Sequence, residues 1–184
     1  VRPEGAAALR GITMEGPFFS MGKRGAQNPE HLRLPDAALF ARLQREAAGL
    51  IRIACIAPEL PGALDCIRTV AAEGVKVSLA HTEADYDTAS AAFDAGAAHV
   101  THLFNAMPPL LHRAPGVIGA ASERETVTAE LIADGIHVHP SAVRAAFRLF
   151  PGRVCLVSDA LSACGMPEGE YMLGGQAIRV SGPR

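Results

Sequence analysis

The 184-residue sequence predicts an α/β fold, a (β/α)8 TIM-like barrel of which about six β/α units are present. Short apolar runs alternate with longer amphipathic stretches, the pattern of right-handed β-α units around a parallel sheet. Six strands fit either an open doubly wound sheet or a barrel missing two strands, since a closed barrel takes about 250 residues. Two further observations favour the barrel. Five of the six predicted strands end on polar residues, which a barrel gathers around one mouth and an open sheet spreads along an edge. No G-x-G-x-x-G follows the first strand, which weakens the dinucleotide-binding version of the open sheet.

Taken in order, residues 6–10 read as a helix tail and 11–15 as a short strand ending on Glu15. Residues 16–35, rich in Gly, Pro, Lys and Asn, form a long loop of a length that is usually functional. Pro35-Asp36 opens a helix to about Gly49, with Leu39, Phe40, Leu43 and Ala47 on one face. Residues 51–57 are a strand ended by Pro58, and 62–73 a helix turning Leu64, Ile67, Val70 and Ala71 inward and stopped by Gly74. Strand 75–80 leads to His81, helix 85–95 stops at Gly96, and strand 97–103 leads into the loop around Pro108-Pro109. Those prolines keep a helix from starting at once and leave His102, Asn105, His112 and Arg113 on a loop at the strand's C-terminal end. Residues 116–125 read as irregular, 127–133 as an alternating strand, 140–150 as a helix and 154–157 as the sixth strand, with hairpin pieces around Gly174-Gly175.

Composition narrows the function classes. The chain is 49% apolar and 20% charged, as a globular domain is, and its length suffices for one substantial core. A net charge of -2 and 5% aromatics give no basic surface or stacking platform for nucleic acid. No apolar run approaches the roughly 20 residues of a membrane span. None of the four cysteines forms a C-x-x-C pair; Cys55 and Cys155 lie in apolar strand runs and read as buried thiols in a reduced, cytoplasmic setting. The opening Val1-Arg-Pro and the stop after Ser181-Gly-Pro-Arg184 read as a segment of a longer protein.

The chemistry concentrates at strand ends. Glu15, His81 and His102 each follow an apolar strand directly, and two imidazoles with one carboxylate make a catalytic zinc set with a position left for water. Their wide sequence gaps are wrong for a zinc finger and natural for ligands drawn from separate strands. Asp159, at the last strand's end, suits a general base that returns its proton to a leaving group; the competing reading is a helix N-cap. Asn105, Ala106, His112, Arg113 and His137 suit a phosphate or carboxylate, or equally a solvated loop. His31, His99 and His139 read as structural.

Eight motifs stand in order: Met14-Glu-Gly-Pro-Phe18, Lys23-Arg-Gly-Ala-Gln-Asn-Pro29, Ala57-Pro-Glu59, Ala80-His-Thr82, Thr101-His-Leu-Phe-Asn-Ala-Met-Pro108, Arg113-Ala-Pro-Gly116, Ile132-Ala-Asp-Gly-Ile-His-Val138 and Leu156-Val-Ser-Asp-Ala160. Together they resemble the N-acetylglucosamine-6-phosphate deacetylase family of the amidohydrolase superfamily. The resemblance implies a metal-dependent β/α barrel with a small β-sandwich, the sandwich and first barrel strands lying outside residues 1–184. It implies hydrolysis of the acetamide of N-acetyl-D-glucosamine 6-phosphate to D-glucosamine 6-phosphate and acetate, in amino-sugar catabolism. By motif, Glu15, His81 and His102 become ligands of a divalent metal, zinc first, with iron or another divalent ion as alternatives. Asp159 becomes the general base, and His137 holds the substrate near the amide or sugar ring. Asn105, the Ala106 backbone and Arg113 hold the phosphate, Arg113 across the interface of a homodimer, while Ala26 and Gln27 line the sugar site. Gln27 stands where the family has His, and Asp159-Ala-Leu-Ser-Ala-Cys-Gly165 departs from the family's Asp-Ala-[TM]-x-[PA]-x-Gly. The His-x-His that opens such barrels, which serves a second metal in some members, is not in the chain. A metal- and phosphosugar-binding segment without activity, and an amidohydrolase of another amide, are the rival readings.

Overall fold

Six strands pair in parallel and in chain order: β1 (Ile12–Phe18), β2 (Ile51–Ile56), β3 (Lys76–Leu79), β4 (Ala97–Val100), β5 (Thr128–Ile132) and β6 (Val154–Val157). The computed structural model describes residue 5 and residues 8–181. Helices α1 (Ala37–Glu46), α2 (Ala63–Ala72), α3 (Tyr86–Asp94), α4 (Gly116–Ser122) and α5 (Pro140–Leu149) fill the crossovers. An antiparallel hairpin, β7 (Gly169–Leu173) and β8 (Gln176–Val180), follows β6. Six flat strands would put β1 about 24 Å from β6. Yet Thr13 and Glu15 of β1 line one cavity with Val157 of β6 and with Asp159 just beyond it. The sheet is therefore curled, an incomplete barrel open among the described residues between β1 and β6.

Local sequence explains most boundaries. The Asp36 carboxylate accepts from the backbone N–H of Ala38 and Leu39 and starts α1; Asp85 does the same for Thr88 at the start of α3. The His139 ring accepts from Ser141 N and caps α5, so that histidine is structural as read. One continuous core joins the sheet to the helices through Phe40, Ile67, Val70, Phe93, Ile118 and Leu131.

The structure corrects several readings. Residues 116–125, read as irregular, contain α4, in which Gly116 through Ala121 are all buried. A helix enclosed on every side has no polar face, so the periodicity that marks a surface helix is missing. The first strand runs past Glu15 to Phe18, and the long loop behind it contains 3₁₀ turns at Met21–Lys23 and Pro29–His31. The strand read as 97–103 ends at Val100, because the chain turns left-handed at His102. Residues 8–10 hold no regular structure, and the rest of the supposed helix tail includes positions 6 and 7, outside the described residues. Cys55 is buried but Cys155 is exposed, because β6 has only β5 beside it among the described residues.

Candidate metal and active site

Glu15 rises from within β1, and His81 and His102 stand two residues beyond the ends of β3 and β4. Both histidines have positive φ, 47° and 33°, and Asp159, two residues past β6, repeats the device at 51°. Left-handed backbone at a residue with a Cβ is strained by roughly 1–3 kcal/mol and persists only where surroundings enforce it. The same bend thus recurs at the three strand ends that carry candidate site residues.

Three donor atoms converge. Glu15 Oε1 lies 2.8 Å from His81 Nε2 and 3.6 Å from His102 Nε2, and the two imidazole nitrogens are 3.0 Å apart. The opposite nitrogen of His81 explains why they fit a cation. Nδ1–H donates to the Lys23 carbonyl at 2.7 Å, and in the tautomer with that proton alone the Nε2 lone pair faces the carboxylate. Two lone-pair atoms 2.8 Å apart repel unless a proton or a metal ion lies between them. Phe19 stacks on the His81 ring at 4.3 Å, and a Cβ at Gly25 (φ 58°) would come within 3.2 Å of its Cε1. A carboxylate and two imidazoles within 4.8 Å of one another are a set that could hold a divalent metal.

The electrostatics agree. With protons rather than a metal ion between the donors, hydrogen bonds with His102 and then His81 hold the Glu15 carboxyl down at about 2, against its burial. Burial alone would depress His102, but the bond to Glu15 and its charge outweigh that and leave the imidazole raised. Burial pushes the Cys55 thiol up to about 12, which keeps it from acting as a thiolate beneath the site.

A cavity of about 390 Å³ opens over the trio. Ala26, Gln27, Asn105, Ala106, His137 and Asp159 all line it beside Glu15, His81 and His102. Arg113 does not; it lies with His112 on an exposed loop whose ends are joined by Leu111 and Ala114. His137 is aimed by its neighbour: the N–H groups of His137 and Ile136 donate to Asp134 Oδ1 at 2.9 Å, and His137 Nδ1 meets Oδ2 at 2.7 Å. These bonds hold the Asp134 carboxyl at about 2. Asn105 Nδ2 donates to the carbonyls of His102 and Leu103 and braces the turn behind His102.

Sequence reading missed several lining residues. His31, read as structural, borders the cavity, as do Leu161 and the hairpin residues Leu173 and Gly174, with Gln176 Nε2 donating to the Ala26 carbonyl at 3.0 Å. Glu130 lines a second, smaller cavity with Glu15, His102 and Asp159, and burial raises its carboxyl. Its signal was present: it is the lone charge within an alternating strand.

Fold and site together define a class, the β/α-barrel segment with a potential metal centre in the mouth where its strands end. The particular relatives follow from comparison. No protein-family model matches the chain. It is 46% identical over 178 residues to the N-acetylglucosamine-6-phosphate deacetylase of Bacillus subtilis, an alignment covering 96% of this chain and 45% of that protein. It is 39% identical over 176 residues to an N-acetylgalactosamine-6-phosphate deacetylase of Escherichia coli O157:H7, covering 96% and 47%. Among solved structures it resembles a mutant N-acetyl-D-glucosamine-6-phosphate deacetylase of Mycobacterium smegmatis in complex with N-acetyl-D-glucosamine-6-phosphate. The TM-score there is 0.89 at 42% identity, over 93% of this chain and 45% of that one. The chain spans about half the length of the curated relatives it matches. The same half-barrel matches that structure and the N-acetylglucosamine-6-phosphate deacetylase structure from Pasteurella multocida, the latter with a TM-score of 0.84 at 30% identity over 97% of this chain and 46% of that one.

Proposed function

We propose that the protein to which this chain belongs hydrolyses the acetamide of N-acetyl-D-glucosamine 6-phosphate, releasing acetate and D-glucosamine 6-phosphate. The observation that carries the reading is the convergence of Glu15, His81 and His102 at the base of a cavity that Asp159 also lines. A divalent metal held by these three, zinc by the chemistry of the donor set, would polarise the amide carbonyl and acidify a water molecule. Asp159 takes a proton as the water oxygen bonds to the carbonyl carbon. It then gives that proton to the nitrogen as the C–N bond breaks, so the amine leaves neutral and acetic acid remains, which ionises to acetate as the released amine takes up its proton. His137, its Nδ1 engaged by Asp134, presents its other nitrogen to the amide or sugar ring. Ala26 and Gln27 border the sugar, while Asn105 and the Ala106 backbone reach the phosphate and orient the amide from a distance.

Arg113, exposed and away from this cavity, fits the reading as a phosphate ligand lent to a second protomer of a homodimer. Four free cysteines accord with a reduced cytoplasmic setting. Among the described residues no helix is long and apolar enough to cross a membrane. The N-acetylgalactosamine relative favours one second reading, the C4 epimer as substrate. Acetate release from the two phosphosugars by the zinc-loaded full-length protein, beside Asp159→Asn, decides. Turnover that vanishes in the variant supports the mechanism, preference between the epimers names the sugar, and silence on both sinks the deacetylase reading.

A further inference from the structure

Behind His81 lies a hydrogen-bond network that the proposed mechanism leaves unused. Glu59 stands in the turn 57–60, just past the end of β2, and both of its carboxylate oxygens are engaged by the residues that follow His81. Oε2 accepts from the Thr82 hydroxyl at 2.5 Å, and Oε1 accepts from the Glu83 backbone N–H at 2.6 Å. Thr82 is wholly buried. Its hydroxyl oxygen accepts from Ala84 N at 2.9 Å, and its own N–H donates to the Ala106 carbonyl at 3.1 Å. Thr82 therefore touches two parts of the site at once: it adjoins His81 in the chain and is bonded to the loop bearing Asn105 and Ala106. From the far side, Ser20 N–H donates to the His81 carbonyl at 3.0 Å and Ser20 Oγ–H to Glu83 Oε2 at 2.6 Å.

We infer that Glu59 and Thr82 are positioning residues: they lock the turn that carries His81 and fix it to the loop that carries Asn105 and Ala106. The inference rests on the reading of Glu15, His81 and His102 as a metal site. Its physical ground is the left-handed backbone of His81, which only surrounding bonds can maintain. A carboxylate is the one side chain of this length that accepts from a hydroxyl and a backbone N–H without offering a competing donor. With the hydroxyl gone, Glu59 Oε2 loses a donor and Ala84 N an acceptor beside a buried turn, which can then relax and swing the imidazole away. Outer-sphere groups of this kind change metal affinity about ten- to a hundredfold.

The test uses the full-length protein titrated with Co2+, read by visible absorption of the bound ion and by competition with a chelator. Thr82→Val, nearly isosteric, and Glu59→Gln, which swaps one acceptor for a donor, are each expected to weaken Co2+ binding about ten- to a hundredfold and to change the spectrum. Thr82→Ser restores the hydroxyl and with it the affinity. Hydrogen exchange at the Thr82 amide, which reports its bond to Ala106, is expected to slow on metal addition in the parent and Thr82→Ser, and not in Thr82→Val. Parent-like affinity and spectrum in Thr82→Val and Glu59→Gln overturn the inference, whatever their thermal stability. So does weakening by Thr82→Ser as large as that by Thr82→Val. Absence of Co2+ binding by the parent itself is a separate result: it removes the metal reading, and this inference with it.

Discussion

Leu131 and Leu156 are register partners on adjoining strands, yet Leu131 is 0% exposed and Leu156 is 60% exposed. The residue type and the strand geometry are the same; only the surroundings differ. β5 has a strand on each side, whereas β6 has one neighbour among the described residues. The site divides along the same line. His81 and His102 leave β3 and β4, interior strands, and are buried, while Asp159 leaves β6 and is exposed. Interior strands preorganise the two imidazoles of the candidate metal site, Glu15 reaches them from the edge strand β1, and the proposed proton-transfer residue sits where the packing is thinnest.

The sharpest break in this comparison is functional. His102→Ala, on the interior side, is expected to lower metal affinity by far more than the roughly hundredfold of an outer-sphere change, measured by Co2+ titration. Asp159→Asn, on the edge, is expected to leave affinity within a few fold while lowering kcat of the full-length protein about 10²–10⁴-fold. Equal loss of metal in both variants would erase the distinction.

Stability tests the same contrast directly. Leu131→Ala is expected to cost about 2–5 kcal/mol in denaturant unfolding, against about 0.5 kcal/mol or less for Leu156→Ala. A similar cost at both would mean that β6 is covered in solution, by another segment or by a second copy.

A pH effect follows from His99, buried on the interior strand β4 with Nδ1 at 2.9 Å from Ser78 Oγ. Burial, with help from the charge of Lys76, pushes its imidazole down to about 4 from the usual 6.5. A group depressed in the folded state stabilises above its unfolded value and loses that contribution as pH falls through the folded one. The chain should therefore lose up to about 3 kcal/mol between pH 6.5 and 4, a slope absent from His99→Gln. The smallest expected effect is at Gly25: Gly25→Ala, strained by its left-handed backbone and pressing on His81, should weaken metal binding only several-fold.

Much of the site was legible because its residues break a simple pattern. Glu15, His81, His102 and Asp159 each interrupt or end an apolar run, and a polar residue inside or just past a buried parallel strand has few structural reasons to be there. Arg113 was read from its loop as a phosphate or carboxylate candidate, and it stands apart from the cavity. Glu59 and Thr82 were hidden for a different reason. Their motifs, Ala57-Pro-Glu59 and Ala80-His-Thr82, were visible, but their pairing spans twenty-three positions and no local periodicity reports it.

The order of strands, the helix caps at Asp36 and Asp85, the hairpin at Gly174-Gly175 and the identity of the strand-end donors were all determined by the chain itself. They depend on neighbours close in sequence, where propensity, turn chemistry and burial pattern act. Tertiary structure alone decided that α4 is a helix without a polar face and that Cys155 is exposed where Cys55 is buried. It alone brought Glu15 to 2.8 Å from His81 across sixty-six positions of chain. Those outcomes depend on which surfaces meet, and a surface's partner is written in no single stretch of sequence.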